Sequence, residues 1–405
     1  MRQSELILAV YLPTAMLAIA QGVLIVTLPL YADDLGVGYT MISIITAAAS
    51  MGTLIMDVPA GVVLHRIGLR RTMLIGCALV VIGTMGLTFP MHANFVVALR
   101  VVAGIGTALW SLSRHSFIAQ AVPTWKRGQA IAMFGGINRV GLFGGPIIGG
   151  VIATAMGMHA SFFAAGLLGI VGWIAASVFI PAEESESLPR RGASDNRWRL
   201  VRKALRENGL DIGAAGAAQL FGQVIRQGRQ LIIPLIGAKH LGLNAAEIGT
   251  VMTVSAILDM SMFVPAGYVM DRFGRKYASV PTFLIMGVGL GLLPFANSFG
   301  SLLAIGLLIG LGNGLGSGTM MTLGADLAPE GATGEFLGIW RLIGDIGMVL
   351  GPLLVGIIAS TMSLRGSAYM LMAAGFAASA ILAFLVRETR TVPESESDTA
   401  RIQPT

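Results

Sequence analysis

Long runs of residues without a charged side chain constrain the fold of this chain more than any other feature. Residues 6–31, 72–92 and 162–180 contain no Asp, Glu, Lys or Arg. Each run is long enough to cross a hydrocarbon core as a helix, which takes about 20 apolar residues. Charged residues make up 12% of the whole chain, against roughly 25% in soluble globular proteins. The chain is therefore predicted to be a membrane protein.

The same criterion, applied along the whole chain, predicts twelve membrane spans. Only helices can fill them, because an open strand would leave its backbone polar groups unpaired in lipid. Gly is frequent, with 54 residues, and small residues let helix backbones approach closely in lipid. The predicted spans are 6–31, 40–64, 72–90, 95–121, 129–153 and 160–180, then 210–236, 247–270, 277–296, 300–328, 334–358 and 367–387.

Lys and Arg are concentrated in alternate connections between these spans. The basic set includes the loops Arg66–Arg71 and Arg272–Lys276 and the segment 181–208, whereas the loops of the other set hold only Lys239 and Arg365. By the positive-inside rule, the basic set and both termini are expected in the cytoplasm. This bias explains the net charge of +6 without a nucleic-acid partner. We therefore expect a multi-pass, monomeric protein of the cell inner (plasma) membrane, whose partners are the lipid bilayer and a small-molecule substrate.

A short phrase occurs twice, 206 positions apart. Val-Pro-Ala-Gly begins at Val58 and again at Val264, and both copies continue into a basic loop between two spans. Gly145–Pro146 and Gly351–Pro352 share the same offset. Parallel repeats of this kind are characteristic of secondary transporters. The chain is therefore predicted to be an all-α membrane protein of two six-helix bundles related by a pseudo-two-fold parallel repeat. Its predicted parts are the bundles 1–180 and 209–390, a cytoplasmic linker 181–208 and a disordered cytoplasmic tail 391–405.

The linker has a basic second half, with Arg197, Arg199, Arg202, Lys203 and Arg206. This composition predicts either an amphipathic helix on the anionic inner leaflet or a solvated connector.

The duplicated loop makes the chain resemble the major facilitator superfamily over essentially its whole length, and within it the twelve-helix drug–proton antiporters. The family pattern is Gly-x3-Asp-Arg-x-Gly followed by basic residues, which the second half carries intact and the first half carries with His65 in place of Asp. The resemblance implies that Asp271 caps a neighbouring helix and helps to close the cytoplasmic side. His65 has either lost that function, with Asp57 taking over the latch, or titrates near neutral pH. The loop residues are Gly61, His65, Arg66 and Gly68, and Gly267, Asp271, Arg272, Gly274, Arg275 and Lys276.

Two further motifs resemble those of proton-coupled exporters in the same superfamily. Arg100-x-x-Ala103-Gly-x-Gly is similar to the family's Arg-x-x-Gln-Gly-x-Gly, with Ala103 in place of Gln, and the resemblance links Arg100 to proton transfer. The fifth span resembles the antiporter signature, whose glycines and proline predict a closely packed helix that bends against the opposite half. Generic packing of small residues is the alternative. The signature residues are Gly141, Gly145, Pro146, Gly149 and Gly150.

Nine charged residues lie deep within the predicted spans, away from their ends. A charge at the bilayer centre costs roughly 2.5–3.5 kcal/mol on insertion scales, so we expect these residues to line an aqueous cavity or to form pairs. The resemblance implies that the second and eleventh spans face each other, as do the fifth and eighth. Depth counting then predicts an Asp57–Arg341 contact and an Arg139–Asp259 contact, formed in the outward-open state and broken in the inward-open state. Pairing within one half is the alternative. The nine residues are Asp57, Arg100, Arg114, Arg139, Arg226, Arg229, Asp259, Arg341 and Asp345.

The resemblance also implies that the first, fourth, seventh and tenth spans line the substrate cavity. No acidic residue lies within the first span, so proton coupling is expected at Asp57, Asp259, Asp345 or a His. An Asp that loses its Arg partner as the protein rocks would take up a proton. The predicted cavity residues are Gln21, Arg100, Arg114, Arg226, Gln227, Arg229 and Asn313, and the predicted coupling and gating residues are Asp57, Arg139, Asp259, Arg341 and Asp345.

These features predict a secondary active transporter that works by alternating access and uses a proton gradient rather than a bound cofactor or metal. The antiporter signature favours export of amphiphilic drug-like molecules, whereas the excess of embedded Arg favours a small organic anion as the alternative substrate. The sequence contains no His-Glu-x-x-His or Gly-x-Ser-x-Gly motif, so it is not expected to be an enzyme. A non-transporting receptor on the same fold is the remaining alternative.

Overall fold

The computed structural model describes residues 7–89, 91–180 and 195–389. Within these ranges the regular secondary structure is helical, and no β-strand occurs. The predicted tail 391–405 and the first part of the linker, 181–194, lie outside the described residues.

The first half consists of six long helices joined by short connections, so that consecutive helices run in opposite directions. Gly68 and Gly157 have φ angles of +84° and +92°, which an L side chain rarely adopts, and each permits a connection of one residue. The helices are α1 (Leu12–Asp34, after a π-helical turn Ile7–Tyr11), α2 (Tyr39–Ile67), α3 (Leu69–Met85), α4 (Ala93–Ala121), α5 (Thr124–Met156) and α6 (Met158–Phe179).

The second half begins with the linker helix and then repeats the same order. The linker helix is amphipathic, and Val201 on its apolar face is buried against the helices that follow. Its predicted position on the inner leaflet stays a prediction. The helices are α7 (Asp195–Glu207), α8 (Gly209–Lys239), α9 (Ala245–Ser261), α10 (Phe263–Arg272), α11 (Arg275–Leu292), α12 (Phe299–Leu315), α13 (Thr319–Asp326), α14 (Thr333–Thr361) and α15 (Leu364–Phe384).

Two spans of the second half, predicted as continuous over 247–270 and 300–328, are broken. The break between α9 and α10 lies at Met262, where Pro265 cannot donate the helical hydrogen bond to Ser261. The break between α12 and α13 includes Gly318, whose φ is +80°. Each broken pair still crosses the bundle as one span.

In the part of the chain that the structure describes, eleven helical segments are long and apolar enough to cross a membrane. Helix α8 is not among them because it carries Asp211, Arg226, Arg229 and Lys239. It is 31 residues long and largely buried among the other helices, so its charged groups need not face lipid. We count α8 as the twelfth span.

The packing of the helices repeats between the halves. In the first half α1 packs on α5 and α6, α2 packs on α4, and α3 packs on α4 and α6. In the second half α8 packs on α14 and α15, α9 packs on α12, and α11 packs on α12 and α15. The chain therefore forms two six-helix bundles in a parallel repeat, as predicted. The bundles meet mainly through α2 with α14 and α5 with α9.

We call the end of the molecule that carries the basic loops and α7 the basic face, and the opposite end the far face. At the far face Lys239 Nζ lies 2.7 Å from Asp33 Oδ1, and the Thr40 hydroxyl donates to Ser360 over 3.0 Å. Both contacts join the two halves. The far face is therefore closed in this conformation.

Glycines on the facing helices show that the halves lie closer together at the far face than at the basic face. A Cβ added to Gly150 or Gly249 would collide with the backbone of the opposite half. A Cβ added to Gly135, Gly136 or Gly338, nearer the basic face, would meet nothing within 4 Å. The interface therefore widens toward the basic face.

Candidate functional site

A central cavity of about 250 Å³ lies between the two halves. Its polar wall is formed by amide and hydroxyl side chains, and Arg100 is the only charged residue among the described residues that line it. Of the residues predicted to line the cavity, Gln21, Arg100 and Gln227 do so. The other polar lining residues are Thr46, Ser50, Thr53, Thr84, Thr107 and Gln230.

Arg100 is positioned by close packing of α4 against its neighbours. A Cβ on Gly104 would collide with the backbone of Ala49 on α2, and one on Gly106 would lie 2.6 Å from the Gly76 carbonyl oxygen on α3. These glycines of the Arg100 motif therefore fix α4 between two helices of its own half. The Arg100 Nε atom is buried and has no hydrogen-bond partner.

A small side pocket adjoins the cavity and leads to a second charged group. This pocket of about 50 Å³ shares Ile25, Leu142 and Gln230 with the central cavity and has Arg229 in its wall. Arg229 Nη2 lies 3.7 Å from Asp259 Oδ2, and Asp259 is 1% exposed. An ion pair of the second half therefore lies next to the cavity.

Asn313 connects Asp259 to a second guanidinium. Its Nδ2 donates to Asp259 Oδ2 over 2.5 Å, and its Oδ1 accepts from Arg226 Nε over 2.9 Å. Arg226 and Asn313 were predicted to line the central cavity, and this prediction is wrong because they are held in this network within the second half. The Asp259 carboxylate thus contacts Arg229 directly and is linked to Arg226 through the Asn313 amide.

Arg139 on α5 reaches across to the second half, but not to its predicted partner. Its Nη1 donates to the Ser317 hydroxyl over 3.1 Å, and its guanidinium lies 4.1 Å from the centre of the Phe263 ring. The predicted Arg139–Asp259 ion pair is absent from this conformation, since the guanidinium in contact with Asp259 is that of Arg229. Arg139 is nevertheless a contact between the halves.

Asp57 and Arg341 form the other predicted contact. Arg341 Nη2 lies 3.5 Å from Asp57 Oδ1, and Arg341 Nε lies 3.5 Å from Asp345 Oδ2. Arg341 is 53% exposed, whereas Asp57 and Asp345 are mostly buried. Asp57 belongs to the first half and the other two belong to the second half. The contact is therefore present while the far face is closed. Its predicted loss in the inward-open state stays a prediction.

Arg114 does not line the central cavity, contrary to the prediction. It is 7% exposed, and its guanidinium lies 3.7 Å from the centre of the Phe134 ring and 5.8 Å from that of Trp110. These are cation–π contacts within the first half. Arg114 lies on α4, within the predicted fourth span, but its side chain points away from the central cavity.

Comparison with known proteins identifies the family. The sequence profile of the Major Facilitator Superfamily matches residues 10–226 and again residues 222–404, one match for each bundle. The chain belongs to the Major Facilitator Superfamily. The family and the fold are those of membrane transporters, which are not enzymes.

Three relatives show the range of this similarity within the superfamily. An uncharacterised MFS-type transporter of Methanocaldococcus jannaschii, MJ1560, is 20% identical over 88% of this chain and 92% of its own length. The quinolone resistance protein NorA of Staphylococcus aureus is 23% identical over 86% of this chain and 89% of its own. An uncharacterised MFS-type transporter of Mycobacterium tuberculosis, Rv1250, is 28% identical, but only over 41% of this chain and 29% of its own length.

Solved structures of other superfamily members share the fold at low identity. A D-xylose–proton symporter superposes with a TM-score of 0.76 and 17% identity, covering 96% of this chain and 99% of its own. A bacterial homologue of the human lysosomal transporter Spinster, in an inward-facing and unoccupied conformation, gives 0.75 and 14%, covering 95% of each chain. These comparisons establish the fold alone.

The superfamily loop of the second half is held by ion pairs on the basic face. Asp271 is 75% exposed and lies 3.2 Å from Arg275 Nη1, four residues along the chain. Arg275 Nε donates to Asp326 over 3.0 Å. Arg272 donates to the Tyr268 hydroxyl. The loop thus ties α10 and α11 to the end of α13.

The helix cap predicted for Asp271 is provided by a different carboxylate. The backbone N–H groups of Arg275 and Lys276, at the start of α11, donate to Glu388 over 2.8 and 3.0 Å. Gly274 has a φ of +123°, and a Cβ there would lie 2.6 Å from the Glu388 carboxylate. Glu388, which follows the last span, therefore caps α11, whereas Asp271 contacts the Arg275 side chain and no helix terminus among the described residues in this conformation.

The corresponding loop of the first half lacks such a carboxylate cap. His65 and Arg66 are exposed, and α3 begins after Gly68 without a side-chain cap. Arg70 Nη2 donates instead to the Ser177 carbonyl near the end of α6 over 3.0 Å. Gly61 and its counterpart Gly267 meet nothing within 4 Å, so neither is needed for close packing here.

The antiporter signature on α5 packs mainly within its own half. A Cβ on Gly141 would lie 2.7 Å from the Ala18 side chain of α1, and Gly145 and Gly149 also face α1. Gly150 alone among the four glycines faces the second half, against Ala245. The predicted close packing is present, and Pro146 lies within a continuous helix. The backbone of the signature also contacts the second half, since the Phe143 carbonyl accepts from the Thr253 hydroxyl over 3.0 Å and a Cβ on Gly249 would collide with the Pro146 carbonyl oxygen.

Proposed function

We propose that the protein is a secondary active transporter that exports amphiphilic drug-like molecules in exchange for protons by alternating access. Membership of the superfamily supports transport, and the resemblance to NorA, a quinolone resistance protein, supports export of drug-like molecules. The basic face is cytoplasmic in this proposal, and both termini lie on that side. The transporter acts as a monomer in the plasma membrane and uses the proton gradient without a bound cofactor.

The observation that carries the proposed coupling is the cluster of two carboxylates around one guanidinium between the halves. Arg341 and Asp345 lie four residues apart on α14, so they move together. Asp57 lies on α2 in the other half and is the group that leaves Arg341 when the halves separate at the basic face. A carboxylate without a cationic partner in a poorly solvated place favours its protonated form.

Protonation and opening of the basic face are therefore linked in both directions. A proton on Asp57 removes the charge that attracts Arg341, so protonation favours the conformation that is open at the basic face. Entry of cytoplasmic water then solvates the carboxylate and favours release of the proton. Asp259, buried beside the cavity, is the second carboxylate proposed to respond to the proton gradient.

Reconstituted liposomes with an imposed pH gradient test this function. We expect a fluorescent amphiphilic drug to be transported and to dissipate the gradient only when protein and drug are both present. The variants Asp57→Asn and Asp259→Asn should lose gradient-driven transport while retaining exchange of the drug across the membrane without a gradient. Full gradient-driven activity in both variants would contradict the coupling proposal.

A small organic anion is the second candidate substrate. The charges next to the cavity favour it, since Arg100 lines the cavity and Arg229 and Arg226 share a single carboxylate, Asp259. The same liposome assay with organic anions in place of the drug distinguishes the two candidates.

A further inference from the structure

We propose that Arg100 is the anchor for an anionic group on the substrate, so that the central cavity takes an amphiphile with a carboxylate-like end. This inference rests on the proposed transport function and specifies its substrate class. It assigns Arg100 a role in substrate selection, in addition to any role in proton transfer.

The charge of Arg100 is unmatched by any described residue. Within the described part of the chain, Arg229 contacts Asp259, and Arg341 contacts Asp57 and Asp345. Arg100 has neither an ion pair nor a hydrogen bond with any described residue, and its Nε atom is buried. A buried charge is unfavourable unless a counter-charge or hydrogen bonds compensate it. An anionic ligand provides both.

The composition of the cavity wall also favours an anionic ligand. Among the described residues that line the cavity there is no Asp or Glu, so an anion that enters meets none of their carboxylates there. The neutral amides of Gln21, Gln227 and Gln230 can donate hydrogen bonds to oxygen atoms of the same ligand. A guanidinium binds a carboxylate through two parallel hydrogen bonds, which is among the stronger polar contacts in proteins.

The rest of the cavity wall is apolar. Leu24, Ile25, Leu28, Leu142 and Met348 line the same cavity, and such side chains favour the hydrocarbon or aromatic body of a ligand. One cation among apolar and neutral polar groups matches a ligand with one anionic end. A small, fully polar anion would leave this apolar surface without a partner.

A pair of ligands that differ only at the anionic group tests the inference. The probes are a fluoroquinolone and its methyl ester, with binding to the purified, detergent-solubilised protein measured by calorimetry. A charge-assisted hydrogen bond leads us to expect that the wild-type protein binds the acid roughly ten- to one-hundred-fold more tightly than the ester. Arg100→Gln should remove this preference by weakening binding of the acid alone, and Arg100→Lys should restore part of it.

Arg114→Gln is the matched control, since it removes an Arg from the same helix but outside the cavity, and it should retain the preference for the acid. Equal binding of acid and ester by the wild-type protein would overturn the inference, even if Arg100→Gln does not fold. Equal weakening of both ligands in Arg100→Gln would also overturn it, since that result assigns Arg100 a packing role.

Liposome transport of the same two probes separates this inference from the proposed function. Loss of gradient-driven transport with an intact, Arg100-dependent preference for the acid contradicts the proposed function and supports the anion anchor. Gradient-driven transport of both probes without such a preference supports the proposed function and overturns the anchor.

Discussion

Single residues at the interface between the halves were predictable where depth along a helix decides the contact. Asp57 and Arg341 lie at similar distances from the basic ends of α2 and α14, and the structure brings them within 3.5 Å. Depth counting does not give the direction of a side chain around the helix axis. Arg139 therefore meets Ser317 instead of Asp259, because Asp259 has a nearer partner, Arg229, within its own half.

Exchanging the charges of the Asp57–Arg341 contact tests whether it joins the halves. Asp57→Arg alone and Arg341→Asp alone each place like charges in contact, so we expect both single variants to lose most gradient-driven transport in liposomes. The double variant should recover a substantial part of it, since the pair is restored in reverse. If the double variant transports no faster than either single variant, the contact does not contribute to gradient-driven transport.

The Asp259 network makes a separate prediction about stability. Asp259→Asn removes the carboxylate in contact with Arg229, whose side chain is 14% exposed, and loss of one partner from a buried pair costs about 3–5 kcal/mol. Thermal unfolding in detergent measures the change. The control, Asp33→Asn, removes the partner of Lys239 at the more exposed far face, where we expect less than about 1 kcal/mol. Equal losses in the two variants would be inconsistent with the burial argument.

At the scale of the helices, the positions of the spans could be predicted because a long segment without charged residues crosses a membrane as a helix. Local breaks could not. Pro59 and Pro265 occupy equivalent positions, yet α2 continues through Pro59 whereas α9 ends before Pro265. The cap at the start of α11 was also missed, because Glu388 is 113 residues from Arg275 in sequence and only the folded bundle brings the two together.

Two glycines on α5 allow a test of whether close packing between the halves is needed for transport. Gly150→Ala would place a Cβ against the Ala245 backbone of the second half, whereas Gly144→Ala meets nothing within 4 Å. We expect Gly150→Ala to disfavour closure of the far face and to lower transport several-fold, and Gly144→Ala to leave transport unchanged. Cross-linking of cysteines placed across the far face measures closure. The same cross-linking yield in both variants would contradict this account.

For the whole molecule, the structure shows one conformation of a two-bundle transporter. The far face is closed by direct contacts between the halves, and the interface widens toward the basic face, where the Asp57–Arg341 contact still joins them. The sequence repeat predicts this two-fold architecture, but it contains no information about which face is closed, because that depends on a small free-energy difference between two packings of the same bundles.

The central claim is that protonation of the carboxylates at the interface opens the basic face while the far face closes. Pairs of spin labels report on both faces in a Cys77→Ala background. One pair lies at His65 and Thr333 near the basic face, and the other at Gly38 and Met362 on the far face.

Distances between these labels, measured in lipid bilayers from alkaline to acidic pH, test the claim most directly. We predict that acidification lengthens the basic-face distance and shortens the far-face distance, and that Asp57→Asn gives the long basic-face distance at every pH. Distances that do not respond to pH, or that lengthen together at both faces, would contradict proton-coupled alternating access in this protein.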